Sequence, residues 1–457
     1  MKNNNKRVDM LNGSLLDKLL LFAIPLALSS ILQQLFNSVD VAVVGKFDSS
    51  SGQAAVGCNG PVINLLINIF VGISVGANVV ISTYIGQNKK EKVKATVHTA
   101  MVISLIVGII IGIAGFFVAE NILRFMDTPG NIIDAASLYL KIYFLGIPFI
   151  IIYNFAAAVL RCVGNTKTPL YALIISGIIN TILNIILVVY VHMGVAGVAI
   201  ATVVSNIVSS AIVLYYIMKT DEVIKLSLRD LKIYRKELSK ILKIGVPAAI
   251  QTSVFSIANI FIQMALNGYG KDAIAGSAVT LNYEFYEYYV VIAFGQAAVT
   301  FISQNFGAGN LKRCRKIFYE SILSAIISVA VMSAVFVTGR DFFIGLFTSS
   351  SEVAHFAEIR MLYLLIPYIL ITTYEIGGCA LRGMGYSMTP AVITIIGTCV
   401  LRLTWIYTIC IKIKKFKLLM IIYPISWSVT GVICLITYFC ISAREIRIKD
   451  NQQRRIN

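Results

Sequence analysis

Charge is scarce in this sequence. Only 13% of its 457 residues are Asp, Glu, Lys or Arg, where a water-soluble chain carries about a quarter. A chain this long cannot cover its surface with so few charges, so most of that surface faces something other than water. Histidine is also scarce, with three residues far apart (His98, His192, His355) and no HExxH pair, which removes a zinc protease. The eight cysteines are scattered without a CxxC pair, so neither a disulfide framework nor a zinc site is implied. No Walker A lysine motif exists, which excludes direct use of ATP. No small-residue cleavage site follows the first apolar run, so the polar, basic lead Met1 to Arg7 and that run read as a retained first span rather than a signal peptide.

What fills the chain instead is hydrocarbon. Mean hydropathy is +0.82 and 58% of residues are apolar. Apolar runs long enough to cross roughly 30 Å of lipid as helices recur throughout, and a helix satisfies its own backbone hydrogen bonds there. About twelve spans are expected, near 19–44, 54–82, 93–118, 135–158, 168–190, 195–218, 240–266, 275–302, 316–338, 356–380, 390–411 and 418–442. The fold class expected is therefore all-α and polytopic. The formal charge of +17 reads as a positive-inside bias rather than a nucleic-acid surface, because the basic residues sit between the apolar runs. With the N-terminus cytoplasmic, the clusters Lys89 to Lys94, Lys219 to Lys243, Lys312 to Lys316 and Arg444 to Arg455 all fall inside. One loop, Lys412 to Lys417, breaks the rule by facing outward.

The chain also repeats itself. Leu160-Arg161-Cys162-Val163-Gly164 followed by Thr168-Pro169 matches Leu381-Arg382-Gly383-Met384-Gly385 followed by Thr389-Pro390, at an offset of 221. The same offset aligns Ile81-Ser82 and Gly86 with Ile302-Ser303 and Gly307. Ile24-Pro25 pairs with Val246-Pro247, and Ile147-Pro148 with Ile366-Pro367. Six spans per half return the chain to its starting side, so the halves insert in the same orientation, with a cavity expected between them near the midplane. The expected parts are an N-terminal lobe over 1–218, a cytoplasmic linker over 219–243 and a C-terminal lobe over 244–457.

These residues resemble the multidrug and toxic compound extrusion (MATE) family over essentially the whole chain. The resemblance rests on Ile24-Pro25, Asn37-Ser38-Val39-Asp40, the segment Gly194 to Thr202, the paired Leu-Arg-x-x-Gly…Thr-Pro segments and Tyr423-Pro424-Ile425-Ser426-Trp427. It implies a two-lobe antiporter in the cytoplasmic membrane of a bacterium, acting as a monomer on small organic compounds, often cationic, in exchange for Na⁺ or H⁺. Both termini would be cytoplasmic, and neither a nucleic-acid partner nor another cofactor is expected. The family's coupling site maps onto Asp40, Asn180, Asn184 and Thr202. Asn184 stands where some members carry a second aspartate.

The residues support that mapping on their own terms. A carboxylate in a membrane span costs about 2.5–3.5 kcal/mol on insertion scales, so Asp40 is expected to face a partner or a cavity. Gln33, Asn37 and Asp40 share one helical face. The asparagines read either as ion ligands or as bonds between helices. The eighth span holds Tyr283, Glu284, Tyr286, Glu287 and Tyr288 near mid-bilayer. With Gln33 and Gln34 they form the expected substrate pocket, where ring faces and carboxylates attract an aromatic cation. The seventh span carries no acid, and Glu284 is the expected substitute for one. Glu375 is expected to pair with Arg402 or with Arg382, and Arg161 and Arg382 to anchor their helix ends by snorkelling. Pro25, Pro148, Pro247, Pro367 and Pro424 read equally as hinges or as static kinks.

Two other functions fit the residues less well. A flippase of lipid-linked oligosaccharide needs a large cationic cavity for pyrophosphate, and the acidic eighth span argues against it. An intramembrane enzyme lacks a catalytic set. Gly72-Ile73-Ser74-Val75-Gly76 matches a hydrolase elbow in letters, but lies mid-helix where that motif needs a strand-to-helix turn.

Overall fold

A computed structural model describes residues 8–48 and 50–456. The basic lead Met1 to Arg7 lies outside the described residues. Those described are almost wholly helical, with no strand among them. Among the described residues twelve helices are long and apolar enough to cross a membrane. They are α1 (Leu16–Phe47), α2 (Ser51–Gly86), α3 (Lys90–Phe125), α4 (Ile133–Cys162), α5 (Lys167–Tyr190), α6 (Gly194–Lys219), α7 (Arg235–Asn267), α8 (Lys271–Gly307), α9 (Leu311–Thr338), α10 (Ser351–Gly383), α11 (Met388–Cys410) and α12 (Phe416–Gln452). Eleven of them contain the span expected from hydropathy, and α11 ends one residue short of its expected 390–411. Most extend past the expected span, because charged turns at their ends continue the helix beyond the apolar run.

The helices form two compact units. One holds Val8 and Leu28–Gly245, the other Asp9–Ala27 and the segment from Val246 onward. The borders thus fall inside α1 and α7, where the sequence reading placed them at 218 and 243. Each unit has the same internal order. In the first, α4 packs against α2, α3 and α6; in the second, α10 packs against α8, α9 and α12. Of the twelve, α4 and α10 are the most deeply buried.

Small residues set the close approaches. A Cβ at Gly108 or Gly112 of α3 would strike the backbone of α4 at Pro148 or Phe144, so only glycine fits there. Gly164 and Gly385, in the two copies of the repeated motif, both end their helices with positive φ, +77° and +91°. Regular α-helix is interrupted at matching places. A π-helical stretch, Ile185–Tyr190, closes α5, and two such stretches, Ile395–Val400 and Ile406–Cys410, lie in α11. Pro25, Pro148, Pro247 and Pro424 lie inside helices, and Pro367 sits in a 3₁₀ turn that interrupts α10.

The linker after α6 is strapped to the start of α3. The Ser227 N–H donates to His98 Nε2 at 3.1 Å, and the Tyr234 N–H donates to Thr99 Oγ1 at 3.0 Å. His98 Nδ1 lies 2.7 Å from the Lys94 carbonyl, which fixes the neutral ring with its proton on Nδ1. Lys94 also pairs with Asp230 at 2.8 Å. His98→Ala removes a bond worth about 1 kcal/mol. It should speed tryptic cleavage between Lys225 and Lys236 severalfold while the membrane helices stay intact; an unchanged cleavage rate would show that the strap does not depend on His98.

Candidate functional site

The first unit gathers a buried polar cluster around Asp40. Its carboxylate is 5% exposed, on α1 two turns from the end of that helix. Asn184 of α5 donates from Nδ2 to Asp40 Oδ1 at 2.5 Å and also to Asn180 Oδ1 at 3.2 Å. Thr202 of α6 donates to Asp40 Oδ2 at 3.1 Å. Both carboxylate oxygens are therefore engaged by two other helices. Asn180 and Asn184 meet Asp40 because they lie one turn apart on the same face of α5. Gly177, one turn earlier, lets Phe36 of α1 lie against α5. A Cβ there would fall 1.8 Å from the Phe36 ring. That notch brings α1 close enough for Asp40 to reach Asn184.

Two tyrosines that the sequence reading missed close the cluster. Tyr139 and Tyr143 of α4 are buried and stacked with centroids 6.1 Å apart. Both lie within electrostatic reach of Asp40, and the Tyr139 hydroxyl adjoins Thr202. Their i, i+4 spacing was the available signal, but tyrosine is too common in these spans to single them out. Of the other residues expected on α1, Gln33 and Asn37 are exposed and Gln34 half-buried; Asn37 stands outside the Asp40 hydrogen bonds.

Among the described residues no group of three His, Cys, Asp or Glu gathers to hold a metal, so a transition-metal site has no donors. A Na⁺ ion asks for oxygen, and oxygen is what the cluster offers. Asn184 Oδ1 is buried with no hydrogen-bond partner, beside the Asp40 carboxylate and Asn180 Oδ1. A proton on Asp40 would suit the same place, because a rotated Asn184 amide presents its oxygen to a protonated acid. The donor set thus fits either monovalent ion.

In the second unit the acids of α8 do not line one pocket. Glu284 forms a buried two-point pair with Arg360 of α10, at 2.6 and 3.1 Å. Tyr283 donates to the Phe343 carbonyl at 2.7 Å, among the rings of Phe336, Phe343 and Phe347. Glu287 accepts from Ser333 of α9 at 2.8 Å, and its other oxygen is buried and unpartnered. Tyr286 and Tyr288 are half-buried, with Tyr288 turned toward Glu375. Helical period explains the split. Residues 283, 284 and 287 project toward α9 and α10, which flank α8.

The expected pairing of Glu375 is not present. Glu375 makes no ion pair with Arg402 or Arg382 within 4 Å, though Arg382 lies near enough to act on its charge. Arg402 instead donates to Ser426 at 2.9 Å. Nor does Arg382 snorkel. It is buried, donates to Gln251 at 3.1 Å and contacts Cys379. Arg161, its repeat counterpart, likewise has a buried Nε. Close packing at the repeated motif turns both side chains inward.

A model of the MatE family matches residues 25–186 and then, a second time, residues 247–408. The chain belongs to the MATE family. The probable multidrug resistance protein YoeA of Bacillus subtilis (strain 168) is 30% identical to it over 383 residues, 82% of each chain. The multidrug export protein MepA of Staphylococcus aureus (strain NCTC 8325 / PS 47) is 27% identical over 272 residues, 59% of this chain and 57% of its own. A solved structure described as the outward-facing conformation of a multidrug resistance MATE family transporter of the MOP superfamily has the same fold. Its TM-score is 0.90 at 22% identity, over 98% of this chain and 100% of that one. This MATE protein is accordingly a multi-pass membrane transporter and not an enzyme. The double family match carries the duplication that the paired Leu-Arg-x-x-Gly segments revealed.

Two substitutions test the geometry. Gly177→Val should destabilise the purified transporter by about 1–3 kcal/mol in thermal unfolding, and adding Phe36→Ala should recover part of the loss; an unshifted midpoint in the single variant contradicts the notch. Glu284→Gln strands the Arg360 charge and should cost about 3–5 kcal/mol, whereas Glu284→Gln with Arg360→Met should cost much less. Equal losses would mean the pair is not coupled.

Proposed function

We propose that this MATE protein is a secondary active antiporter of the cytoplasmic membrane, exporting small organic, drug-like compounds in exchange for Na⁺ or H⁺ taken up at Asp40. One observation carries the coupling assignment: a lone carboxylate, buried among Asn180, Asn184, Thr202 and Tyr139, beside an amide oxygen that has no partner. Burial without a counter-charge makes an ionised carboxylate costly, so Asp40 gains by taking up a cation. Asn184 and Thr202 hold the carboxylate in place while it waits, and the unpartnered oxygen offers a further ligand. The ion and the solute then reach opposite faces of the membrane by alternating access. Export as the direction of transport is supported by the names of the relatives.

Orientation follows from charge. The linker between α6 and α7 carries Lys225, Arg229 and Lys232, and α7 opens on Arg235 and Lys236, which supports a cytoplasmic side for the linker and for both termini. No cation selectivity is attached to Glu284, because the Arg360 guanidinium already neutralises it.

The assay is uptake into everted vesicles under a Na⁺ gradient and a H⁺ gradient imposed separately, with a fluorescent organic cation and a fluorescent organic anion run side by side. At least one gradient should drive transport in the parent protein, and Asp40→Asn should abolish it while the protein still inserts and purifies. Gradient-driven transport that survives in Asp40→Asn would refute the coupling assignment.

A further inference from the structure

The duplication gives every element of the Asp40 cluster a counterpart in the second unit. At the offset of 221, Tyr139 of α4 corresponds to Arg360 of α10 and Thr202 of α6 to Tyr423 of α12. At the neighbouring offset of 222, set by the paired prolines of α1 and α7, Gln33 corresponds to Phe255. In α11, the counterpart of α5, the buried charge is Arg402. The same four-helix frame that holds a carboxylate and amides in one unit thus holds guanidinium groups and rings in the other.

Arg402 is 1% exposed. Its guanidinium lies 4.5 Å from the ring centroid of Tyr423, 5.7 Å from Phe255 and 6.0 Å from Trp427. Nε donates to Ser426 at 2.9 Å, but Nη2 is buried with no acceptor. Among the described residues no acid forms an ion pair with Arg402 within 4 Å. Glu284 is held by Arg360, Glu287 by Ser333, and Glu375 pairs with neither Arg382 nor Arg402. Ring faces offset part of the burial of a guanidinium but supply no acceptor for its N–H groups. Arg402 also sits in the one α-helical turn, Leu401–Trp405, between the two π-helical stretches of α11, and such stretches are frequent at functional sites. Pro424 stands beside Tyr423 and removes a backbone bond from α12, so α11 and α12, two of the three helices that carry the cage, are locally loosened.

We propose that Arg402, with Phe255, Tyr423 and Trp427, forms a binding site for the carboxylate of an aromatic organic acid or zwitterion. The open N–H of the guanidinium takes one carboxylate oxygen, and the rings take the aromatic body. This names a substrate class for the transporter and rests on the transport reading for its purpose, though not for its test.

Trp427 makes the site observable, since it is one of two tryptophans in the chain. In a Trp405→Phe background, purified protein in lipid nanodiscs is titrated with 4-nitrobenzoate and with 4-nitrobenzamide, which carry the same quenching nitroarene. Saturable quenching of Trp427 by the carboxylate is expected, with an affinity about tenfold or more above that of the amide, as a charge-assisted hydrogen bond implies. Arg402→Gln should abolish that preference. Arg402→Lys keeps the charge, remains informative if the glutamine variant does not fold, and should bind more weakly while still preferring acid to amide. Equal quenching by acid and amide, no saturable quenching by the acid, or a lysine variant that has lost the preference would overturn the proposal. The titration needs no ion gradient, so it can succeed where Asp40-driven export fails, and fail where export is intact.

Discussion

A carboxylate removed from water needs either donors fixed around it or a cation beside it, and the first unit is arranged about that need at Asp40. Three helices contribute. α1 brings the acid, α5 the two asparagines one turn apart, and α6 the threonine. Gly177 lets α1 and α5 approach closely enough for the 2.5 Å bond between Asn184 and Asp40. The donors hold the acid in position without cancelling its charge, because each is neutral. A lysine or arginine in the same place would have neutralised Asp40 permanently and left it nothing to exchange.

The second unit shows that permanent outcome. Glu284 and Arg360 meet at two points in a buried pair and satisfy one another. Such a pair fixes α8 against α10 but leaves no charge for a passing ion. One duplicated frame therefore carries two electrostatic solutions. In one unit a carboxylate waits among amides. In the other a closed ion pair sits near a guanidinium, Arg402, that forms no ion pair among the described residues. Packing constraints kept the motif glycines, the motif turns and the helix order alike in both units, while the polar residues at their centres diverged.

How much of this the sequence revealed follows from the range of the interactions involved. Spans and the repeat were legible because hydropathy and small-residue motifs act within one helix or its immediate turn. The Asp40 cluster was legible because polar residues are so rare in these spans that Asp40, Asn180, Asn184 and Thr202 stood out. Tyr139 and Tyr143 were not, since aromatic residues are common there and only their partners distinguish them. Arg360 was overlooked because α10 begins earlier than its apolar run, which put the arginine at an apparent helix edge. Glu375, Arg402 and Arg382 were matched wrongly because charge alone does not say which neighbour across a helix interface a side chain will face. The eighth span misled in the same way. Its acids and tyrosines are adjacent in sequence, but the helical turn distributes them among separate neighbours.

The central claim is that Asp40 takes up the Na⁺ or H⁺ that the transporter exchanges for its organic solute. Equilibrium binding of radiolabelled Na⁺ to the purified protein, measured over a series of pH values, tests it most directly. The account predicts one saturable site that weakens as pH falls, because protons compete for the same carboxylate, or, if only protons bind, a pH-dependent proton uptake on the same group; either must vanish in Asp40→Asn. Cation binding that persists unchanged in that variant would contradict it.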